Sequence, residues 1–435
     1  MNSRRVDRVI ALYRAGTPDE AAALALSELA EESQDITLWY VAALCFARLG
    51  DFGTVLEIVA TVNRRLQPAP LFINRVCHWL LDDRHFGALR AFLAAIPENH
   101  VGQIIVLYYA ACTWLVTGDH DRALELFSRF RRLVPAFLPA VPFLTDERLN
   151  VVLRHGRLTA TPAEIAALPD TGYEPPVSNL CFHTDPIPVT TGTGEPAGPI
   201  YSCSADPKYI EVFAPSFIEA LAGHDRPTLL HLSLVNGDAA LVARITGLCR
   251  RFPHLRADVS TVQTRHASST LYACARFLTL PAVLARYRAP VITLDIDVAV
   301  DQRLRAFEPM FRSPAKPFDL ACFRTRRNEP GSIYNARVIV WQPTAGTQDF
   351  LQVFETFCAQ RADEIPALNW MLDQAGLFSI RHYFLAIGRP LTFTTLNDLT
   401  GLTLDQASHN LCPDLGEKSA LRGGRLQFSL DAVNP

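Results

Sequence analysis

Two aspartates set one residue apart, Asp295 and Asp297, close the apolar run Val291-Ile-Thr-Leu-Asp-Ile-Asp-Val298. Such a run of β-branched residues suits a buried central strand, which rarely admits ionised carboxylates without a partner to satisfy them. Two hard oxygen ligands at a strand end can hold a divalent cation. The bland alternative is that both aspartates only form the turn where the strand stops.

The segments around this run alternate. Pro199-Ile-Tyr-Ser-Cys-Ser-Ala-Asp206 reads as a strand ending at a carboxylate, with Tyr209 one turn into a helix that runs through Phe213 to Ala222. Thr228 to Val235 reads as a second buried strand, followed by Asn236, a helix from Ala239 to Phe252 and a shorter strand from Ala257 to Val262. A helical segment, Thr270 to Pro281, carries Arg276 on an otherwise apolar stretch, where it needs a partner: a structural carboxylate or a bound diphosphate. Strands at Phe318–Phe323 and Tyr334–Trp341, a helix around Phe350–Arg361 and the stretch Trp370-Met-Leu-Asp-Gln374 complete the pattern. Strands and helices in this order predict a mostly parallel sheet covered on both faces, with ligands at the carboxyl ends of its strands. Asp206, Asn236, Asp295 and Asp297 are therefore expected on one edge.

Strand-end Asp206 with Tyr209, Arg276 ahead of Leu294-Asp-Ile-Asp297, Asn335 opening a strand and the Asp373-Gln374 pair together resemble the retaining nucleotide-sugar glycosyltransferases of family 8 and their GT-A relatives, over roughly residues 199 to 420. The resemblance implies a Rossmann-like mixed sheet and a divalent metal, Mn²⁺ or Mg²⁺, bridging Asp295, Asp297 and the donor diphosphate. It implies donor contacts from Asp206, Tyr209, Arg276 and Asn335. It gives Asp373 and Gln374 to the transferred sugar as the catalytic pair, and it suggests uridine as the donor base. The stretch His409-Asn-Leu-Cys-Pro-Asp-Leu-Gly-Glu-Lys418 looks like a lengthened form of the family's C-terminal motif, which makes His409 a third metal ligand and Lys418 a phosphate contact. The chain departs from the pattern at Arg337, where the family usually has Gly, and it lacks the Pro-Trp that follows the motif lysine.

The chemistry suits these residue types. As the anomeric bond breaks the diphosphate gains negative charge, which a cation held by carboxylates stabilises without proton transfer. The amide of Gln374 is a poor nucleophile, so a double displacement is disfavoured and retention through a front-face path is expected. Asp373 is the candidate base if the reaction inverts.

At 435 residues the chain is long enough for two domains. Its net charge of −3 excludes the basic excess of a nucleic-acid binder. Ten cysteines stand singly, without zinc spacing, as expected in a reducing cytosol. No secretory signal opens the chain, and the longest apolar run, Ile104 to Val116, is too short to cross a bilayer. A cytoplasmic protein without a transmembrane segment is expected, with room for peripheral membrane association.

Before the sheet pattern the chain repeats with a period of 34: Val9, Ala43, Cys77 and Ala111 share one phase, and Tyr13, Ala47, Leu81 and Leu115 share another. Ala21, Val55, Leu89 and Ala123 form a third, and Ala25, Val59, Leu93 and Phe127 a fourth. Paired helices of the tetratricopeptide kind are expected over residues 1–155, joined at polar turns of which only the third lacks a glycine. Such a solenoid would recruit a protein or glycan acceptor, bind a protein partner or self-associate, or only pack on its own chain. Trp39, Trp79 and Trp114 are expected in its core. Residues 156–198, rich in Pro and Gly, read as a linker or a long crossing, and 199–430 as the GT-A domain.

Two other readings compete. Aspartyl-phosphate phosphatases also place an Asp-x-Asp after an apolar strand, but they continue with Thr where Ala299 stands and open their domain with the motif. A non-catalytic helical scaffold carrying a degenerate transferase domain is the alternative outside enzymology. Against it stands the joint presence of Asp295, Asp297, Asn335, Asp373 and Gln374, which no fold requirement links.

Overall fold

The computed structural model describes residues 3–29, 36–66, 69–96, 100–133, 182–183, 185–188, 198–223, 227–264, 269–328, 331–364, 372–386 and 390–411. They fall into two compact units, a helical one within Met1–Pro135 and a sheet-bearing one after it. Most of the stretch expected as a linker, and the motif lysine Lys418, lie outside the described residues.

The helical unit is a run of antiparallel pairs: α1 Ser3–Ala15 with α2 Pro18–Leu29, α3 Ile36–Leu49 with α4 Phe52–Arg65, α5 Ala69–Asp82 with α6 Phe86–Ala95, and α7 His100–Thr117 with α8 His120–Leu133. Every residue of the four repeated phases is buried, and Val9, Ala43, Cys77 and Ala111 have no exposure at all. The period therefore marks the positions where helices approach most closely. Each pair turns on the same two backbone bonds, as in Gly50 N–H to Ala47 O and Asp51 N–H to Phe46 O. Gly16, Gly50 and Gly118 take the left-handed conformation this turn needs, with φ of 86°, 80° and 94°. The third copy has Arg84 there, forced to φ 59°.

The tryptophans are not core. Trp39, Trp79 and Trp114 are each half-buried, a few residues off the buried phases. Two of them present a ring face to a cation: Arg75 Cζ lies 5.8 Å from the Trp79 ring, and Arg122 Cζ 4.4 Å from Trp114.

The second unit is built on strands β1 Phe182–His183, β2 Ile187–Pro188, β3 Ile200–Ala205, β4 Thr228–Val235, β5 Leu255–Gln263, β6 Val291–Leu294, β7 Val298–Val300, β8 Leu320–Arg324, β9 Tyr334–Trp341, β10 Phe393–Thr395 and β11 Ser408–Asn410. Nine of them form one sheet, in the order β1-β5-β4-β3-β6-β9-β8-β10 with β2 also on β5, while β7 and β11 make a separate ribbon. Strands β3 to β6 are mutually parallel, and β9 runs antiparallel between β6 and β8. This is the Rossmann-like mixed sheet expected from the sequence. The expected single strand Val291–Val298 is in fact two. Val298 N–H turns back to Asp295 O at 3.2 Å, which ends β6 and sends β7 into the ribbon.

The helices are α9 Pro207–Ala222, α10 Ala239–Cys249, α11 Ser269–Leu278, α12 Leu280–Tyr287, α13 Gln302–Ala306, α14 Glu308–Arg312, α15 Ala345–Glu364, α16 Leu372–Ala386, α17 Leu396–Thr400 and α18 Leu404–Ala407. Pro281, taken from the sequence as the end of one helix, sits in the first turn of the next, where its missing N–H costs nothing. One sheet face packs Leu230, Leu232, Ile292, Leu294 and Val338 against Phe213 and Phe217 of α9 and Ile245 of α10. On the other, Trp341 packs at a tilt against Phe277 and Phe350, at 5.6 and 5.7 Å between ring centres. That face also buries a row of polar residues in register, Asp258, His231, Ser202 and Thr293, all fully inaccessible. Among the described residues no helix is long and apolar enough to cross a membrane.

Candidate active site

The carboxyl ends of β3 and β6 open into one small cleft of about 70 Å³, lined by Asp206, Tyr209, Tyr272, Arg276, Asp295 and Asp297 among others. Five of the residues singled out in the sequence therefore meet there. Asp206 follows β3 and caps α9, its Oδ1 accepting the Tyr209 N–H at 2.8 Å, with Pro207 at the first helical position. The cap fixes Tyr209 one turn in, its ring 5.2 Å from that of Phe213.

Asp295 is the first residue after β6, and its N–H is held by Arg337 O at 3.3 Å. The turn that follows carries Asp297 inward, to 4% exposure, and Leu411 N–H bonds the Asp297 carbonyl at 2.9 Å. The acidic pair is thus held from both sides, by β9 and by the chain after β11.

Arg276 is the buried cation of the site, 1% exposed on α11. Its guanidinium donates to Leu294 O at 3.2 Å and Ala336 O at 3.0 Å, pairs with Asp295, and reaches Asp373 Oδ2 at 3.3 Å. Of the two partners weighed for it, the carboxylate is in place twice, as Asp295 and Asp373. Burial works against its charge, but Asp295 and Asp373 outweigh that and hold its pKa above the ordinary value. Asp373, in the first turn of α16, is pushed up by burial and pulled back by Arg276, while its Oδ1 accepts the Gln374 N–H at 2.8 Å.

The remaining predicted residues lie apart from the cleft lining. Asn335 is half-buried at the start of β9, its Oδ1 occupied by the Arg337 N–H at 2.8 Å. Gln374 is half-buried beside Asp373. His409 is exposed on β11, opposite Ala299 of β7. Asn236 takes a left-handed conformation, φ 53°, and its Oδ1 accepts Thr264 N–H at 2.9 Å, so this strand-end residue shapes a turn. Among the described residues no three His, Cys, Asp or Glu side chains gather as a metal site, and His409 is not part of the cleft lining that holds Asp295 and Asp297. Two carboxylates remain. That suffices for a cation that draws the rest of its shell from a substrate diphosphate and water, the usual way Mg²⁺ is held.

Tyr272 was missed in the sequence. It lies four residues before Arg276, on the same face of α11, and that spacing from an arginine on an apolar helix was the available signal. Its hydroxyl is pushed up by burial and by the nearby Asp206 carboxylate.

No protein-family model and no curated protein matches the chain. Among solved structures it is distantly similar to the apo form of WbbM, a bifunctional glycosyltransferase, with a TM-score of 0.32 and 14% identity. The match covers 48% of this chain and 40% of that one, and a likeness so distant bears no functional argument.

Proposed function

We propose that the sheet-bearing unit is a metal-dependent glycosyltransferase that moves a hexose-type sugar, with retention, from a nucleotide donor to a protein or glycan acceptor. The observation that carries the reading is the convergence of Asp206, Tyr209, Arg276, Asp295 and Asp297 on one cleft at the carboxyl edge of parallel strands. Uridine as the base rests on the family resemblance alone.

In this reading Asp206 and Tyr209 hold the nucleoside at the end of β3. Asp295 and Asp297 hold Mn²⁺ or Mg²⁺, which supplies positive charge to the departing diphosphate. Arg276 keeps Asp295 and Asp373 in place, and Asp373 with Gln374 orients the transferred sugar and stabilises the cationic charge that develops on it. The helical unit would bring the acceptor or a partner protein.

The test is binding and hydrolysis of a panel of nucleotide sugars with Mn²⁺, Mg²⁺ or chelator, on wild type and Asp297→Asn. Metal-dependent binding of one donor, lost in a variant of unchanged melting temperature, supports the transferase. No donor bound by folded wild type sinks it and leaves the non-catalytic scaffold ahead.

A further inference from the structure

Arg337 lies across from Asp295 on β9, one step beyond the Leu294–Val338 pair, and its carbonyl takes the Asp295 N–H. Opposed residues of an antiparallel pair share a face. Its backbone is pinned from the other side by Asn335 Oδ1. The guanidinium is in a different position. Its side chain is only 24% exposed, yet among the described residues it donates no hydrogen bond, and its carboxylate neighbour, Asp405 at 3.9 Å, is itself 94% exposed. An ion pair of that kind is worth little. A guanidinium carries five donors and cannot give up its charge, and none of the Arg337 nitrogens is among the fully buried atoms left without a partner, so its donors stay within reach of solvent and of an anion that displaces it.

Its place along the sheet says which anion. The order β3, β6, β9 sets Asp206, Asp295 and Arg337 at successive strands of the sheet. With the nucleoside at β3 and the diphosphate at β6, as the transferase reading on which this rests has it, the next station belongs to the transferred sugar and the acceptor. Arg276 cannot serve there, because both its Nη atoms are spent on Asp295, Asp373 and two carbonyls and its Nε is fully buried. We propose that Arg337 selects an anionic group, carboxylate or phosphate, on the sugar side of the acidic pair, carried by the transferred sugar or by the acceptor.

The test is calorimetric titration with Mn²⁺ of wild type, Arg337→Gln, Arg337→Lys and Asp405→Asn. UDP-glucose and UDP-glucuronate are the donor probes, and glycerol 3-phosphate added to the UDP-loaded protein is the acceptor probe. A preference for UDP-glucuronate of about tenfold, abolished by Arg337→Gln, places the anion on the donor sugar. Equal donor affinities with glycerol 3-phosphate bound by wild type and not by Arg337→Gln place it on the acceptor. In either case Arg337→Lys falls between, and Asp405→Asn binds the anion at least as tightly as wild type. UDP-glucose binding with no effect of Arg337→Gln on either anion overturns this proposal and leaves the transferase standing. Failure of folded wild type to bind any nucleotide sugar of the panel overturns both.

Discussion

Arg276 and Asp373 are 97 residues apart in sequence and 3.3 Å apart in space, Nη2 to Oδ2. Because the same guanidinium pairs with Asp295, a single side chain on α11 ties the end of β6 to the start of α16. The acidic pair and the expected sugar-binding pair are therefore mechanically one assembly.

Removing that tie should be costly. Arg276→Ala leaves two carboxylates facing each other around a buried hole, and a loss of about 3–5 kcal/mol is expected in urea unfolding. Arg276→Lys should recover only part of it, since an ammonium cannot reach two carboxylates and two carbonyls at once. Full stability in Arg276→Ala would show that the contacts contribute nothing.

Asp206 has two separable tasks. Asp206→Ala should lose about 1 kcal/mol through the lost cap of α9, read as a lower melting temperature. Asp206→Ser keeps a capping oxygen, so its stability should stay near wild type while nucleotide-sugar affinity falls. If the serine variant binds donors like wild type, the carboxylate acts only as a cap.

Asp258 is fully buried on β5, neither carboxylate oxygen has a hydrogen-bond partner among the described residues, and Arg286 Nε stands 4.0 Å away. Burial raises its pKa, with Arg256 and Arg286 opposing. Folding thus favours the protonated form. That contribution is complete below the unfolded value of about 3.9 and is lost as pH rises through the raised native value. Asp258→Asn should therefore gain about 1–2 kcal/mol at pH 7 and little at pH 4. A pH-independent difference in the unfolding midpoint would contradict this.

Arg84 occupies a turn built for glycine. With φ 59° where Gly16, Gly50 and Gly118 hold the same place, Arg84→Gly should stabilise the helical unit by about 1 kcal/mol. Gly50→Ala should cost about as much. Thermal melts of the full chain decide both.

Much of this was legible because it repeats or runs unbroken. All four phases marked by the 34-residue period are buried, and Thr228–Val235 and Tyr334–Trp341 are strands with the bounds read from the sequence. What stayed hidden depends on partners far along the chain. Nothing near Arg276 shows that Asp373 completes it. The polar row of Asp258, His231, Ser202 and Thr293 is invisible until four strands are set in register. Trp39, Trp79 and Trp114 looked like core because size was weighed over phase. His409 follows the expected motif in order but lies on a ribbon edge facing outward.

The antiparallel strand β9 also seals the outer edge of β6, since it pairs there from Val291 to Leu294. A chain ending before Tyr334 would keep the four parallel strands β3 to β6, two of which lead into Asp206 and Asp295, but would bare an apolar strand edge to any passing chain. Premature termination in this region is then a route to edge-to-edge aggregation rather than to a soluble half-enzyme, and a nascent chain paused there would need shielding until β9 emerges.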